Sequence, residues 1–168
     1  LEVLRHSAAH VMAEAVLNLF PDARLTIGPV VEDGFYYDID MPPVSEDDLG
    51  KIEAEMQQII KAKNTFSRQV VSKKKALEIF KDNPFKCELI NELDDQEISL
   101  YQNGAFIDLC RGPHIPHTGL IKGIKLMKIS GAYWRADPSR EQLQRLYGTA
   151  FFDKKKLNQY LHLIEEAK

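Results

Sequence analysis

The sequence predicts an α+β fold with an antiparallel-rich sheet, and three observations predict it. Helical and extended patterns alternate irregularly instead of in regular βαβ units. Asp33-Gly34 and Asn103-Gly104 each sit between apolar runs, which is a hairpin signal. Polar capping residues punctuate the helical stretches between them. Leu4, Ala8, Val11, Met12, Ala15, Val16 and Leu19 recur at helical spacing, and Pro21-Asp22 ends that helix. Thr26 to Asp40 reads as extended, with turns at Gly28-Pro29 and Asp33-Gly34 and a strand at Phe35-Tyr36-Tyr37. Ser45 with Asp48 makes a capping-box variant, and Glu46, Asp47 and Asp48 suit the dipole of a helix running to about Lys63. Thr65 to Val71 is a strand, Ser72 caps a helix through Phe80, and Asn83-Pro84 stops it. Phe85 to Asn91 reads as a short helix. Ile98 to Gln102 and Ala105 to Cys110 flank the second hairpin. Ile124 to Ser130 and Tyr133 to Asp137 read as strands, Glu141 to Phe152 is mixed, and Asp153 opens a terminal helix.

The chain of 168 residues is long enough to bury a core without disulfides, and its 44% hydrophobic and 28% charged composition is that of an ordinary globular domain. Two cysteines, Cys87 and Cys110, form no disulfide framework, so a reducing, cytoplasmic setting is expected. No run approaches the length of a membrane span, so no membrane partner is expected. A net charge of -3 argues against coating nucleic acid by charge alone, although a local basic patch would still hold a short RNA end. Leu1 already leads into a helical period and Leu157 to Lys168 is helix-like, so a longer polypeptide is expected. The boundaries read as one domain over 1–152 and a linker helix over 153–168.

His6 and His10 lie four apart and share one helix face, pointing away from the main apolar stripe. Leu17 lies on that face too, which predicts a partly apolar cleft. The spacing alone is weak. Cys110-Arg111-Gly112-Pro113-His114 strengthens it, because Gly112-Pro113 forces a turn that returns His114 toward Cys110. Three imidazoles and a thiolate suit tetrahedral zinc, or three ligands with a position left for water. Without metal, a histidine near neutral pKa takes a proton from water, and Asp108, on the strand face of Phe106 and Cys110, orients it. Attack by Cys110 itself ranks below attack by water. Cys87 reads as a small buried hydrophobe and Lys86 as a solvated lysine. Gly131-Ala132-Tyr133-Trp134-Arg135 is open to two readings, a nucleobase stack with a phosphate grip or a strand end with core aromatics. Arg111, Lys122, Lys125, Lys128 and Arg135 are candidates for a basic rim. Lys73 to Lys75 and Lys154 to Lys156 read as solvated helix starts.

Arg5-His6-Ser7-Ala8-Ala9-His10 resembles the RHSxAH element of bacterial-type threonyl-tRNA synthetases. Ile27-Gly28-Pro29-Val30 with Gly34-Phe35-Tyr36-Tyr37-Asp38 is similar to their IGPxxxxGFYYD stretch. Asp108-Leu109-Cys110-Arg111-Gly112-Pro113-His114 resembles their DxCRGPH element. Leu126-Met127-Lys128 with Gly131 to Arg135, and Gln144 to Ala150, resemble their LMKxxGAYWR and QRxYGTA stretches. The resemblance spans essentially the whole chain. It implies the two-layer α/β N-terminal editing domain, with the helix of His6 and His10 lining the cleft. Such a domain deacylates serine wrongly esterified to the threonine tRNA.

Carried over by position, His6, His10, Cys110, His114, Lys86 and Asp108 are the catalytic set. Phe85-Lys86-Cys87 stands where the family has Tyr-Lys-Val. Tyr36 or Tyr37 lines the pocket, with Arg111, Trp134 and Arg135 as further substrate contacts. His6 or Lys86 activates the water, backbone groups or Lys86 hold the oxyanion, and the others shape the pocket. The resemblance requires no cofactor. Zinc at His6, His10, Cys110 and His114 stays open, because related alanyl editing proteins use it. The implied partners are the serine-charged acceptor end of the threonine tRNA and covalently joined synthetase domains. The full-length protein is expected to be a homodimer and the fragment a monomer. The alternatives are a zinc-dependent alanyl-tRNA deacylase-like domain, a non-catalytic tRNA-binding module, and a general metal hydrolase acting on small esters.

Overall fold

Ser45 and Asp48 form the reciprocal cap that their spacing predicts: the Asp48 amide donates to Ser45 Oγ (3.2 Å) and the Ser45 amide to Asp48 Oδ2 (3.1 Å). They open helix α2 (Glu46–Lys61) of a computed structural model that describes residues 1–167. Lys168, the last residue of the expected linker helix, lies outside the described residues. Before α2 come α1 (Glu2–Leu19), β1 (Arg24–Leu25), β2 (Val30–Val31) and β3 (Gly34–Asp40). After it come β4 (Phe66–Ser72), α3 (Lys73–Ile79), α4 (Pro84–Glu92), β5 (Glu97–Asn103), β6 (Phe106–Leu109), β7 (Gly123–Tyr133), β8 (Gln142–Phe151) and α5 (Lys154–Glu166). All strand pairs are antiparallel. One sheet runs β1-β3-β8-β7 with β2 added to β3, and a second runs β4-β5-β6. The mixed antiparallel fold class therefore stands. Among the described residues no helix is long and apolar enough to cross a membrane.

Both predicted hairpins form, each displaced by one residue. Val31 pairs with Gly34, so Glu32-Asp33 makes the first turn and Asp33 takes a φ of 60°. Gly34 instead heads β3, where a Cβ would lie 2.3 Å from the Gly148 carbonyl oxygen. In the second, Asn103 pairs with Phe106 across Gly104-Ala105.

The C-terminal half departs further from the sequence reading. β7 runs unbroken through Tyr133, and the expected strand Tyr133 to Asp137 is a tight turn with Arg135 and Ala136 at φ 56° and 58°. The stretch read as mixed is β8, hydrogen-bonded to β3 on one side and β7 on the other. Its Leu143, Leu146, Gly148, Thr149 and Ala150 are all buried, so the alternation of a half-exposed strand is missing.

The main core lies between α1, α2 and the larger sheet, with Leu4, Ala8 and Met12 packed in one cluster with Phe35, Ile39, Ile52, Met56 and Leu146. Burial of α1 extends beyond its apolar stripe. Leu4, Arg5, Ser7 to Ala13, Ala15 and Val16 are all buried, because the helix is covered on more than one side. A smaller cluster joins Ala76, Ile90, Ile98 and Leu100, tying α3 and α4 to β5. Asp153 caps α5, which packs on β7 and β8 and buries Leu157 against Gly123.

Candidate functional site

Helix α1 presents His6 and His10 one turn apart, and the loop after β6 brings Cys110 and His114 to them. Two hydrogen bonds shape that loop: Ile115 N–H to Ser7 Oγ (3.1 Å) and Gly112 N–H to Cys110 Sγ (3.2 Å). Gly112 has φ 82°, and a Cβ there would meet the Tyr101 hydroxyl at 2.1 Å, so the turn demands glycine. His6 Nε2 lies 2.8 Å from Cys110 Sγ. The His6, His10 and His114 rings are mutually 4.6–5.0 Å apart, centroid to centroid. Tyr101 stacks on His114 at 4.0 Å, and the Phe66 ring meets it edge-on at 4.9 Å.

A buried polar layer backs this cluster. Lys86, on α4, donates from Nζ to Asp108 Oδ1 (2.6 Å) and to the Tyr37 hydroxyl (2.9 Å). Tyr37 donates in turn to Asp108 Oδ2 (2.7 Å), and the Leu109 amide to Oδ1 (2.8 Å). His10 Nδ1 sits 2.7 Å from Asp108 Oδ2, an ion-pair contact with the ring turned off the hydrogen-bond line. Lys86 is 3% exposed and Asp108 1%.

The charges settle accordingly. Burial works against ionised Asp108, but Lys86 first and His10 second outweigh it and hold the carboxyl well below its usual range. Burial likewise opposes His10, yet Asp108 and then Cys110 lift it to about 9. Burial would raise the Cys110 thiol, but His10 and then His6 bring it down to about 6. His114 falls to about 3, through burial and then the charges of His10 and His6. These interactions favour a thiolate at Cys110, an imidazolium at His10 and a neutral imidazole at His114.

The donor set suits zinc in kind. His6, His10, Cys110 and His114 each offer one donor atom within 4.8 Å of the others, and both ring nitrogens of His114 are buried without a partner. Asp108 behind His10 is the carboxylate that commonly orients a ligating histidine.

Other residues singled out in the sequence lie elsewhere. Tyr36 points to the opposite face of β3 from Tyr37, 5.6 Å from Tyr147 and with the Arg145 guanidinium 4.2 Å from its ring centre. Trp134 is 2% exposed and edge-on to Phe85 at 5.2 Å, whereas Tyr133 is 42% exposed, so the core-aromatic reading fits Trp134 alone. Arg135 binds Glu88 and Glu92 on α4, and Arg111 is exposed beside Asp95. Of the candidate basic rim, Lys125 sits beside Glu53 and Lys128 over the Tyr147 ring. Lys86 is no solvated lysine but a buried one committed to two partners. Sequence reasoning missed Ser7, Phe66 and Tyr101. The hairpin register gives a signal for Tyr101, which pairs with Asp108 across β5 and β6.

Glu14 continues the histidine face by one more turn. It accepts from Asn103 Nδ2 (3.0 Å) and is raised to about 7 by burial and then by the charge of Glu55. A carboxyl raised in the folded state contributes stability below its unfolded pKa, and that contribution is lost as pH rises through the folded value. Wild-type stability from this group is expected to fall between about pH 4.5 and 7. Urea unfolding of wild type and Glu14→Gln across that window checks it, since the glutamine variant should lack this component.

Residues 98–147 match the family described as the threonyl and alanyl tRNA synthetase second additional domain. That segment contains Asp108, Cys110 and His114, while His6, His10 and Lys86 lie outside it. Three similar proteins are named threonine--tRNA ligase. That of Desulforapulum autotrophicum is 75% identical over 167 residues, 99% of this chain and 26% of the relative. Those of Desulfatibacillum aliphaticivorans and Dehalococcoides mccartyi are 70% and 51% identical, covering 100% and 99% of this chain and 26% and 29% of the relatives. The chain spans about a quarter of the length of these relatives.

Proposed function

We propose, from the premise that this chain belongs to the threonyl and alanyl tRNA synthetase second additional domain family, that it is an editing domain which hydrolyses serine from the threonine tRNA. The observation that carries the reading is the His6, His10, Cys110 and His114 cluster braced by Lys86, Asp108 and Tyr37. A recess of about 180 Å³, lined by Glu2, Val3, His6, Val30, Gly112 and Pro113, gives His6 an opening. Water attacks the seryl ester carbonyl there while His6 takes its proton. The bond to the ribose oxygen then breaks, that oxygen takes the proton, and free serine and tRNA leave. Backbone N–H groups receive the oxyanion. The Cys110 thiolate faces the seryl amine, and His10 and His114 shape the pocket beside it. Lys86 fixes Asp108, and so His10, and does not touch the water.

The task follows from chemistry. An activation site built for threonine rejects serine poorly, since one methyl is worth only about 1–3 kcal/mol, and a second site must remove the product. Here the threonine methyl clashes with the pocket or displaces the attacking water. Residues 1–152 form the editing body, and 153–168 the linker, with α5 in it, that leads to the aminoacylation domain of a cytoplasmic, dimeric ligase; the isolated chain is a monomer. Zinc held by His6, His10, Cys110 and His114 would supply a Lewis acid and acidify a bound water. That donor set is what favours the second reading, a zinc-dependent alanyl-tRNA deacylase.

Single-turnover deacylation of the threonine tRNA charged with serine or threonine tests the proposal. Fast loss of serine with threonine spared supports it. Loss of neither ester leaves a tRNA-binding module. Preference for an alanyl ester, abolished by a zinc chelator, supports the second reading.

A further inference from the structure

We infer that the turn Trp134-Arg135 is a positioning device for Lys86, acting through Glu88 on α4. The inference rests on the editing reading for its kinetic consequence, while its structural content stands apart from it. Lys86 must hold Asp108 and Tyr37 together from a helix of only nine residues. The capping of Asn83, which accepts from the Phe85 and Lys86 amides and donates to the Leu25 carbonyl (2.8 Å), anchors one end of that helix. What fixes its rotation lies two residues past Lys86. The Glu88 carboxylate accepts hydrogen bonds from Trp134 Nε1 (2.8 Å) and Arg140 Nη2 (2.8 Å) and forms an ion pair with Arg135 Nε (2.9 Å). Arg135 also reaches Glu92, one further turn along, and the Trp134 ring packs on Phe85, the residue before Lys86. Two hydrogen bonds, ion pairs to Glu88 and Glu92 and one ring thus grip α4 on both sides of the lysine.

The turn that supplies them is an uncommon one. Arg135 and Ala136 both take left-handed φ values, which side-chain-bearing residues adopt at a cost, and neither is glycine. The Trp134 amide bonds the Glu141 carbonyl (2.9 Å) and the Asp137 amide the Trp134 carbonyl (3.2 Å), so β7 and β8 impose the geometry. This backbone is what aims Trp134 and Arg135 together at α4 instead of at solvent. A rotation of α4 would pull Nζ off Asp108, and with Asp108 would go its hold on His10.

Trp134→Phe keeps a ring and removes the donor, and Glu88→Gln keeps the shape and removes the charge. Both are read by NMR of the Lys86 ammonium protons and by seryl ester hydrolysis. Each variant should speed solvent exchange of the Lys86 Nζ protons while leaving the ring signals of Tyr101 and His114 in place. Each should also slow hydrolysis by about tenfold, well within the roughly hundredfold that a 1 Å misplacement is able to cost. In a Lys86→Ala background neither should slow it further. Unchanged Lys86 exchange in both variants overturns the inference whether or not the chain hydrolyses the ester. So does an equal rate loss with and without Lys86. A wild-type chain that hydrolyses nothing overturns the editing reading instead, and the exchange result then decides the positioning role alone.

Discussion

Asp108→Ala is expected to destabilise the fold by about 3–5 kcal/mol, the cost of breaking a buried ion pair from one side. Asp108 is the shared partner of Lys86, Tyr37 and His10, and all four side chains are buried. Without it, the buried Lys86 ammonium loses its carboxylate partner, and His10 keeps only Cys110 as a negative neighbour. The variant lowers its cost only by neutralising one of them or by opening to water. Urea denaturation at neutral pH measures the loss, and hydrolysis of the seryl ester should vanish with it. Asp108→Asn separates shape from charge, because it keeps the volume and one carbonyl oxygen. A loss below about 1 kcal/mol for Asp108→Ala, in the range of exposed ion pairs, would mean that the layer is solvated and that this view of the site is wrong.

His6→Ala should behave in the opposite way, with a large kinetic loss and little change in stability. Its ring is half-buried, and Cys110 keeps the Gly112 amide as a partner after the imidazole has gone. Removal of a general base commonly slows a reaction by about 10²–10⁴-fold, and that is the loss expected for seryl ester hydrolysis in single-turnover assays. A rate within twofold of wild type, with the melting temperature unchanged, would assign the proton transfer elsewhere.

The parts of the site that were legible in the sequence are those set by local geometry. His6 and His10 share a face because a helix repeats every 3.6 residues, and His114 returns to Cys110 because Gly112-Pro113 turns the chain. What could not be read depends on the approach of distant elements. Lys86 looks like any surface lysine until α4 meets β6. The period of two separates Tyr36 from Tyr37 without saying which faces inward, and only the packing of α1 on β3 decides for Tyr37. The strand β8 hid its alternation because the residues on both of its faces are buried, and the turn at Arg135 carries no glycine to announce it.

Ser7 is hydrogen-bonded to Ile115, Glu14 to Asn103, and Tyr37 to Asp108. Each bond joins a residue of the larger half, on α1 or β3, to one on the smaller sheet or the loop that leaves it. The cluster of His6, His10, Cys110 and His114 therefore sits on the rivet line between two halves of the molecule. A strain that parts the halves by a fraction of an ångström separates His6 and His10 from Cys110 and His114 before it melts either core. Loss of catalysis should thus be the earliest sign of mechanical or thermal fatigue in this chain, ahead of any change in its secondary structure.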